Sequence, residues 1–195
     1  MDKAILALED GSIFEGASVG AKAECYGEVV FNTAITGYQE VFTDPSYRGQ
    51  IVVLTYPHIG NYGTTPEDSE SARPYIEGLV VREFSPIASN WRSKEHASDF
   101  LAKARIPIIS EIDTRLLVRR LRSCGVMRGV VSSIELDPAK LVEKAQKVPS
   151  MAGLDLATEV STKHRYEWTR GIEGCSPSEI VGQAGEPRLH VVAYD

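Results

Sequence analysis

Two apolar clusters, at residues 3–9 and 12–19, flank Asp10-Gly11, a dipeptide suited to the positive φ angles of a tight turn. They predict a hairpin of paired strands. Residues 28–35 (EVVFNTAI) and 50–56 (QIVVLTY) are runs of β-branched and aromatic residues bounded by Gly and Pro. They are too short for helices and read as buried strands. Between them, Thr36 to Phe42 reads as a short helix, ended by Asp44-Pro45 because a residue before proline is pushed out of the α region. Pro57 to Pro74, with Gly60 and Gly63, reads as a long irregular connection, a kind of segment that tends to carry function.

From Glu77 the texture changes to strand and helix in alternation: GLVVREF, KEHASDFLAKA, IPIIS, TRLLVRRLRSC, GVVSS and PAKLVEKAQKV. That alternation predicts an α/β class bordering on α+β. Ala97, Phe100, Leu101 and Ala104 form one helical stripe, and Leu141, Val142, Ala145 and Val148 another. Asp137 should cap the last helix, with Pro138 in its first turn. Asp113 and Gly125 should bound the middle helix, which buries Leu117, Val118, Leu121 and Cys124 and turns Arg115, Arg119 and Arg122 outward. Residues 170–188 hold four glycines and two prolines, a linker composition. Leu189 to Asp195 reads as an apolar strand with nothing of its own to pair with, expected to be the first strand of a second domain.

Composition narrows the function classes. The 195 residues are 43% hydrophobic and 25% charged, a globular balance, and the net charge of −6 argues against a general affinity for nucleic acid or anionic lipid. No run approaches the roughly 20 apolar residues of a membrane span, and the amino terminus lacks a signal-peptide pattern, so a cytoplasmic location is expected. Cys25, Cys124 and Cys175 are widely spaced, with no C-x-x-C, and are expected as reduced thiols: Cys124 in the core, the other two in loops. His58, His96, His164 and His190 are isolated, so no metal site is expected, and no phosphate-cradling motif points to a cofactor. Gly16-Ala17-Ser18-Val19-Gly20 matches G-x-S-x-G, but Ser18 lies late in a hairpin arm and not at a strand-to-helix elbow. The arginine stripe is either a solvated helix face or a docking surface for an acidic partner. On residues alone the chain is a binding or docking domain without catalytic apparatus.

The strings LALEDGSIFEG, GEVVFNTAITGYQEVFTDPSY, IVVLTYPHIGNYG, GLVVRE, IASNWR, SEIDTRLLVRRLRSCGVMRG, GLDLATEVS and LHVVAYD run through nearly the whole chain. Together they resemble the family of the small, glutamine-hydrolysing subunit of carbamoyl-phosphate synthase, with TGYQE-x-x-TDPSY and TYPHIGN-x-G as the most specific runs. The resemblance implies an amino-terminal layered β/β/α domain over residues 1–150, a helical segment and linker over 151–188, and at 189–195 the first strand of a class I glutamine amidotransferase domain. It also implies partners: the large synthetase subunit in a heterodimer, the chain's own carboxy-terminal domain, and L-glutamine. In the parent, a Cys-His-Glu triad would release ammonia from glutamine, and the large subunit would join it with bicarbonate and ATP into carbamoyl phosphate for arginine and pyrimidine synthesis. The triad is expected beyond residue 195, so this stretch is expected to carry no catalytic residue and to be inactive alone. The serine of the DPSY turn, Ser46, carries over as a contact at the edge of the glutamine pocket. Two surfaces are candidates for the large subunit: the loop bearing Tyr56, His58, Asn61 and Tyr62, which is preferred, and the face bearing Arg115, Arg119 and Arg122. The alternative is an autonomous docking module ending near residue 195.

Overall fold

The computed structural model describes residues 2–168 and 190–194. The chain divides into two units, Met1–Leu156 and Ala157–Asp195. In chain order the elements are β1 (Lys3–Leu8), β2 (Ile13–Gly20), β3 (Glu24–Asn32), α1 (Tyr38–Thr43), β4 (Gln50–Leu54), β5 (His58–Ile59), β6 (Gly78–Val80), β7 (Glu83–Phe84), α2 (Ala97–Lys103), β8 (Pro107–Ser110), α3 (Thr114–Cys124), β9 (Met127–Ser132), α4 (Pro138–Lys147) and α5 (Leu156–Val160). Single 3-10 turns add Pro45–Tyr47 and Pro66–Asp68.

The expected hairpin forms, with Lys3 to Ala7 paired antiparallel to Ile13 to Ala17. Strand β1 also pairs with β9 on its other side, and this second pairing closes seven strands into a barrel of order β1-β2-β8-β6-β4-β3-β9. Strands β3, β4, β6 and β8 are parallel neighbours; the remaining pairs within the barrel are antiparallel. The class is thus mixed helix and strand, as the alternation indicated. The strand pairing closes a barrel, and helices pack on its outside.

Period-two alternation sorts each strand between two cores. Ala4, Leu6 and Leu8 of β1, Ile51 and Val53 of β4, Val80, Ile109, Met127 and Val131 fill the barrel interior. Their neighbours Val52, Leu54, Leu79 and Ile108 face outward and are covered by α1 and α2, through Phe42 and Leu101. Ile5, Ala7 and Val130 face outward under Leu141 and Ala145 of α4 and Val148 at its C-cap. Strands covered on both faces must be apolar throughout, which is why these runs look continuous in sequence. The interior is tight: a Cβ on Gly129 would stand 2.6 Å from Cγ2 of Val29.

Local signals set the helices. The Asp113 carboxylate accepts from Leu116 N at 2.9 Å, and that of Asp137 from Ala139 N at 3.0 Å. Leu117 and Leu121 of α3 join the interior core. Cys124, expected on that buried face, is exposed: as the last residue of α3 it has no described element packed over it, and the buried positions of the helix are Thr114, Leu117 and Leu121. Cys25, expected in a loop, is buried in β3, its sulfur against Gly78, since β3 begins at Glu24 and not at residue 28. Burial pushes its thiol pKa well up, so it is an inert core group. The run GLVVREF is split, because β7 leaves the barrel to pair with β5 inside the connection read as irregular. The expected linker at 170–188, with Cys175, lies outside the described residues. Of the strand expected at 189–195, positions 190–194 are exposed and enter no ladder. Among the described residues no helix is long and apolar enough to cross a membrane.

Candidate functional site

Ser46 stands on the 3-10 turn between α1 and β4. Helix α1 stops at Asp44, whose extended backbone is dictated by Pro45, although its N–H still reaches Glu40 O at 2.8 Å. The Asp44 side chain accepts from Ser46 N at 2.8 Å, while Tyr47 N and Arg48 N donate to Asp44 O and Pro45 O at 3.2 and 3.1 Å. The turn is therefore capped from within. Ser46 is exposed, and its hydroxyl bonds to no described residue.

The next residues fasten this turn to the barrel. The Tyr47 hydroxyl accepts from Asn32 Nδ2 at 2.9 Å, and Asn32 Oδ1 accepts from Ala34 N at 2.7 Å, so the end of β3 holds the turn. Glu77 Oε1 accepts from the Arg48 guanidinium and from Gly49 N at 3.3 Å. Gly49 has φ +82, and a Cβ there would meet Leu156 Cδ1 at 3.3 Å and Met151 Cε at 3.6 Å. The chain thus ends its first unit packed against the serine turn.

The second feature is the loop after β4. Helix α1 begins at Gly37, a cap with no side chain, and the Tyr62 hydroxyl takes over that role. It accepts from Gly37 N and Tyr38 N, both at 2.8 Å, and the two tyrosine rings stack with centroids 3.9 Å apart. Tyr38 returns a bond to Gly63 O at 2.7 Å. Burial raises the pKa of both phenols, keeping them protonated. Gln39, buried, donates to Thr65 O at 2.5 Å and Ser69 Oγ at 2.8 Å and accepts from Thr65 N at 2.9 Å. Residues 38 and 39 of the TGYQE run are therefore the anchor of the long loop.

Tyr56, His58, Asn61 and Tyr62 are brought together, lining one cleft of about 130 Å³ with Ile35 and Thr36. That volume is below the roughly 300 Å³ of a small-molecule site, so the cleft fits a protruding side chain better than a metabolite. His58 Nδ1 lies 3.4 Å from Glu83 on the neighbouring strand. Segment 85–91 runs alongside, with Ser85 N on Ile59 O at 2.7 Å and Ser89 N on Asn61 O at 2.8 Å. It carries Ile87 and Trp91, 67% and 91% exposed, beside a cleft whose Ile35 is 75% exposed.

Arg115, Arg119 and Arg122 share one exposed face of α3 and form no ion pair with a described residue, whereas Arg120 is held by Asp10 at 2.6 Å. Ser18 lies within β2, in register with Ile109, with its N–H on Asp2 O at 2.7 Å, so no nucleophile elbow exists there. Among the described residues no group of three or more His, Cys, Asp and Glu is arranged to hold a metal. Sequence reasoning missed Asn32, Gln39 and Glu77 as determinants of these sites. None of the three had a signal in the sequence, because their partners are distant in the chain.

Residues 6–131 match the family model described as carbamoyl-phosphate synthase small chain, CPSase domain. The chain is 55% identical over 193 residues to the carbamoyl phosphate synthase small chain of Syntrophotalea carbinolica, covering 99% of this chain and 51% of that one. It is 51% identical to the small chain of Thermosynechococcus vestitus, over 98% of this chain and 50% of the relative, and 52% identical to that of Pseudomonas aeruginosa, over 98% and 51%. The chain spans about half the length of these curated relatives. Among solved structures, an aminopeptidase from Aneurinibacillus sp. strain AM-1 aligns with a TM-score of 0.38 at 15% identity, over 66% of this chain and 30% of that one, too slight a likeness to bear on function.

Proposed function

The chain belongs to the carbamoyl-phosphate synthase small-chain family, and we propose that it is the amino-terminal domain of a glutamine-hydrolysing subunit, in which it borders the glutamine site and docks the glutaminase on a large synthetase subunit. The observation that carries this reading is the Ser46 turn: braced on both sides, it presents a hydroxyl with no partner among the described residues, next to the segment where the first unit ends. A hydroxyl left free on a braced turn is poised to bind a polar substrate without reorganising first.

In this reading the chemistry belongs to the following domain. A cysteine thiolate attacks the glutamine side-chain amide, ammonia leaves, and water hydrolyses the thioester. The large subunit then consumes ammonia with bicarbonate and ATP to form carbamoyl phosphate, a cytoplasmic step serving arginine and pyrimidine synthesis. Residues 1–195 contribute no catalytic group; Ser46 contributes one hydrogen bond to glutamine. The cleft of Tyr56, His58, Asn61 and Tyr62, lined also by exposed Ile35 and with exposed Ile87 and Trp91 on the segment bonded to the loop, supports docking through the loop, since apolar area and aromatic anchors concentrate at the cores of interfaces.

The test is Ser46→Ala in the full-length subunit assembled with its large partner. Removing one hydrogen bond, worth about 1 kcal/mol, should raise KM for glutamine roughly five-fold and leave ammonia-dependent synthesis at its normal rate. Unaltered glutamine kinetics would remove Ser46 from the site.

A further inference from the structure

We propose that Glu77 is a positioning residue for Ser46, acting through Arg48 and Gly49; the proposal rests on the reading of Ser46 as a glutamine contact. A single 3-10 turn closes few hydrogen bonds of its own and is poorly defined without outside support. Two of the fastenings of this turn, the Asp44 cap and the Asn32–Tyr47 bond, lie at or before Tyr47. Downstream of Tyr47 the support includes Glu77, whose one carboxylate oxygen receives both the Arg48 guanidinium and the Gly49 N–H. The Arg48 bond, charged on both sides, is of a kind roughly twice as strong as a neutral one, and the longer Gly49 bond at 3.3 Å adds to it.

The location of Glu77 makes it a fixed point. Its own N–H donates to Gln50 O at 2.8 Å, and β6 follows directly, locked parallel to β4 from Ile51↔Gly78 to Val53↔Val80. The two strands hold each other by backbone bonds alone, so the carboxylate is not needed to pair them; its bonds go to the residues that lead out of the serine turn. Both side chains of the Arg48–Glu77 pair are about two-thirds buried, which protects the pair from the screening that makes exposed ion pairs weak. Gly49, at φ +82, allows the sharp reversal that presents its N–H to Glu77 while leaving room for Leu156.

The consequence is a pure binding effect. If Glu77 sets where the Ser46 hydroxyl stands, its loss misplaces the hydroxyl without touching the triad or the synthetase. The experiment compares Ser46→Ala, Glu77→Gln and the double variant in the full-length subunit assembled with its large partner, with glutamine-dependent and ammonia-dependent synthesis measured side by side. Glu77→Gln should raise glutamine KM about three- to ten-fold with kcat and the ammonia-dependent rate preserved within about two-fold. The double variant should match Ser46→Ala alone, because two groups acting through one contact are not additive. Arg48→Lys, which keeps the charge and loses the planar fork, should give a smaller rise and serves if Glu77→Gln does not assemble. A normal KM for Glu77→Gln beside an impaired Ser46→Ala overturns the positioning role and spares the Ser46 reading. Additive effects, or a fall in the ammonia-dependent rate, also overturn it. A normal KM for Ser46→Ala refutes the reading of Ser46 itself.

Discussion

Tyr62→Phe removes a single oxygen and tests whether the loop bearing the docking cleft is held from inside the domain. That oxygen accepts from Gly37 N and Tyr38 N, both at 2.8 Å, and these are the first donors of α1 with no intrahelical partner. A donor left unsatisfied inside a protein costs about 1–3 kcal/mol. Tyr62 is half-buried at the wall of an open cleft, so water should recover part of the loss, and about 1–2 kcal/mol in total is expected for the two donors. For a domain of this size that corresponds to a fall in Tm of roughly 2–8 °C. Thermal unfolding followed by circular dichroism measures it. Tyr62→Ala should cost about 3–5 kcal/mol, because the ring stacked on Tyr38 at 3.9 Å is lost as well. A Tm for Tyr62→Phe within about 1 °C of the parent protein would refute the assignment of the hydroxyl as the cap of α1. The consequence for function is practical: Tyr62→Ala damages the scaffold, and Tyr56, exposed on the same cleft, is the cleaner probe of docking.

Docking through the loop should resist salt, while docking through Arg115, Arg119 and Arg122 should weaken as ionic strength rises, since the screening length is about 8 Å at physiological salt. Binding of the large subunit by Tyr56→Ala and by the triple charge reversal decides between them: a normal affinity for the first and loss for the second would overturn the preference for the loop. Glu40 supplies a pH prediction. Its Oε2 is buried with no partner among the described residues, and burial, with Asp68 and Glu70 nearby, pushes its carboxyl above the ordinary glutamate range. The ionised form is therefore disfavoured in the folded state; the penalty is absent below the unfolded pKa of about 4.3, grows as pH rises, and is complete above the raised folded value. Glu40→Gln should be the more stable protein at pH 7, with the gap closing on acidification; urea midpoints across pH read this, and a less stable variant at pH 7 would contradict it.

Much of this protein could be read residue by residue. The Asp10-Gly11 hairpin, the caps at Asp113 and Asp137, and the stripe of Leu141, Ala145 and Val148 depend on neighbours a few positions away, and they stand where the pattern put them. The TGYQE and DPSY strings marked the family and the serine turn for the same reason: they are contiguous. What the tertiary structure decided are the long-range pairings. Strand β1 bonding to both β2 and β9 converts a hairpin into one part of a closed barrel, and no local preference encodes that choice of second partner. Cys25 became interior and Cys124 exterior because burial depends on what packs across from a residue, not on its periodicity alone. Tyr62, legible as a loop aromatic, is a helix cap, and Glu77, legible as nothing in particular, braces the serine turn, because both act on groups brought close only when the parallel strands pair.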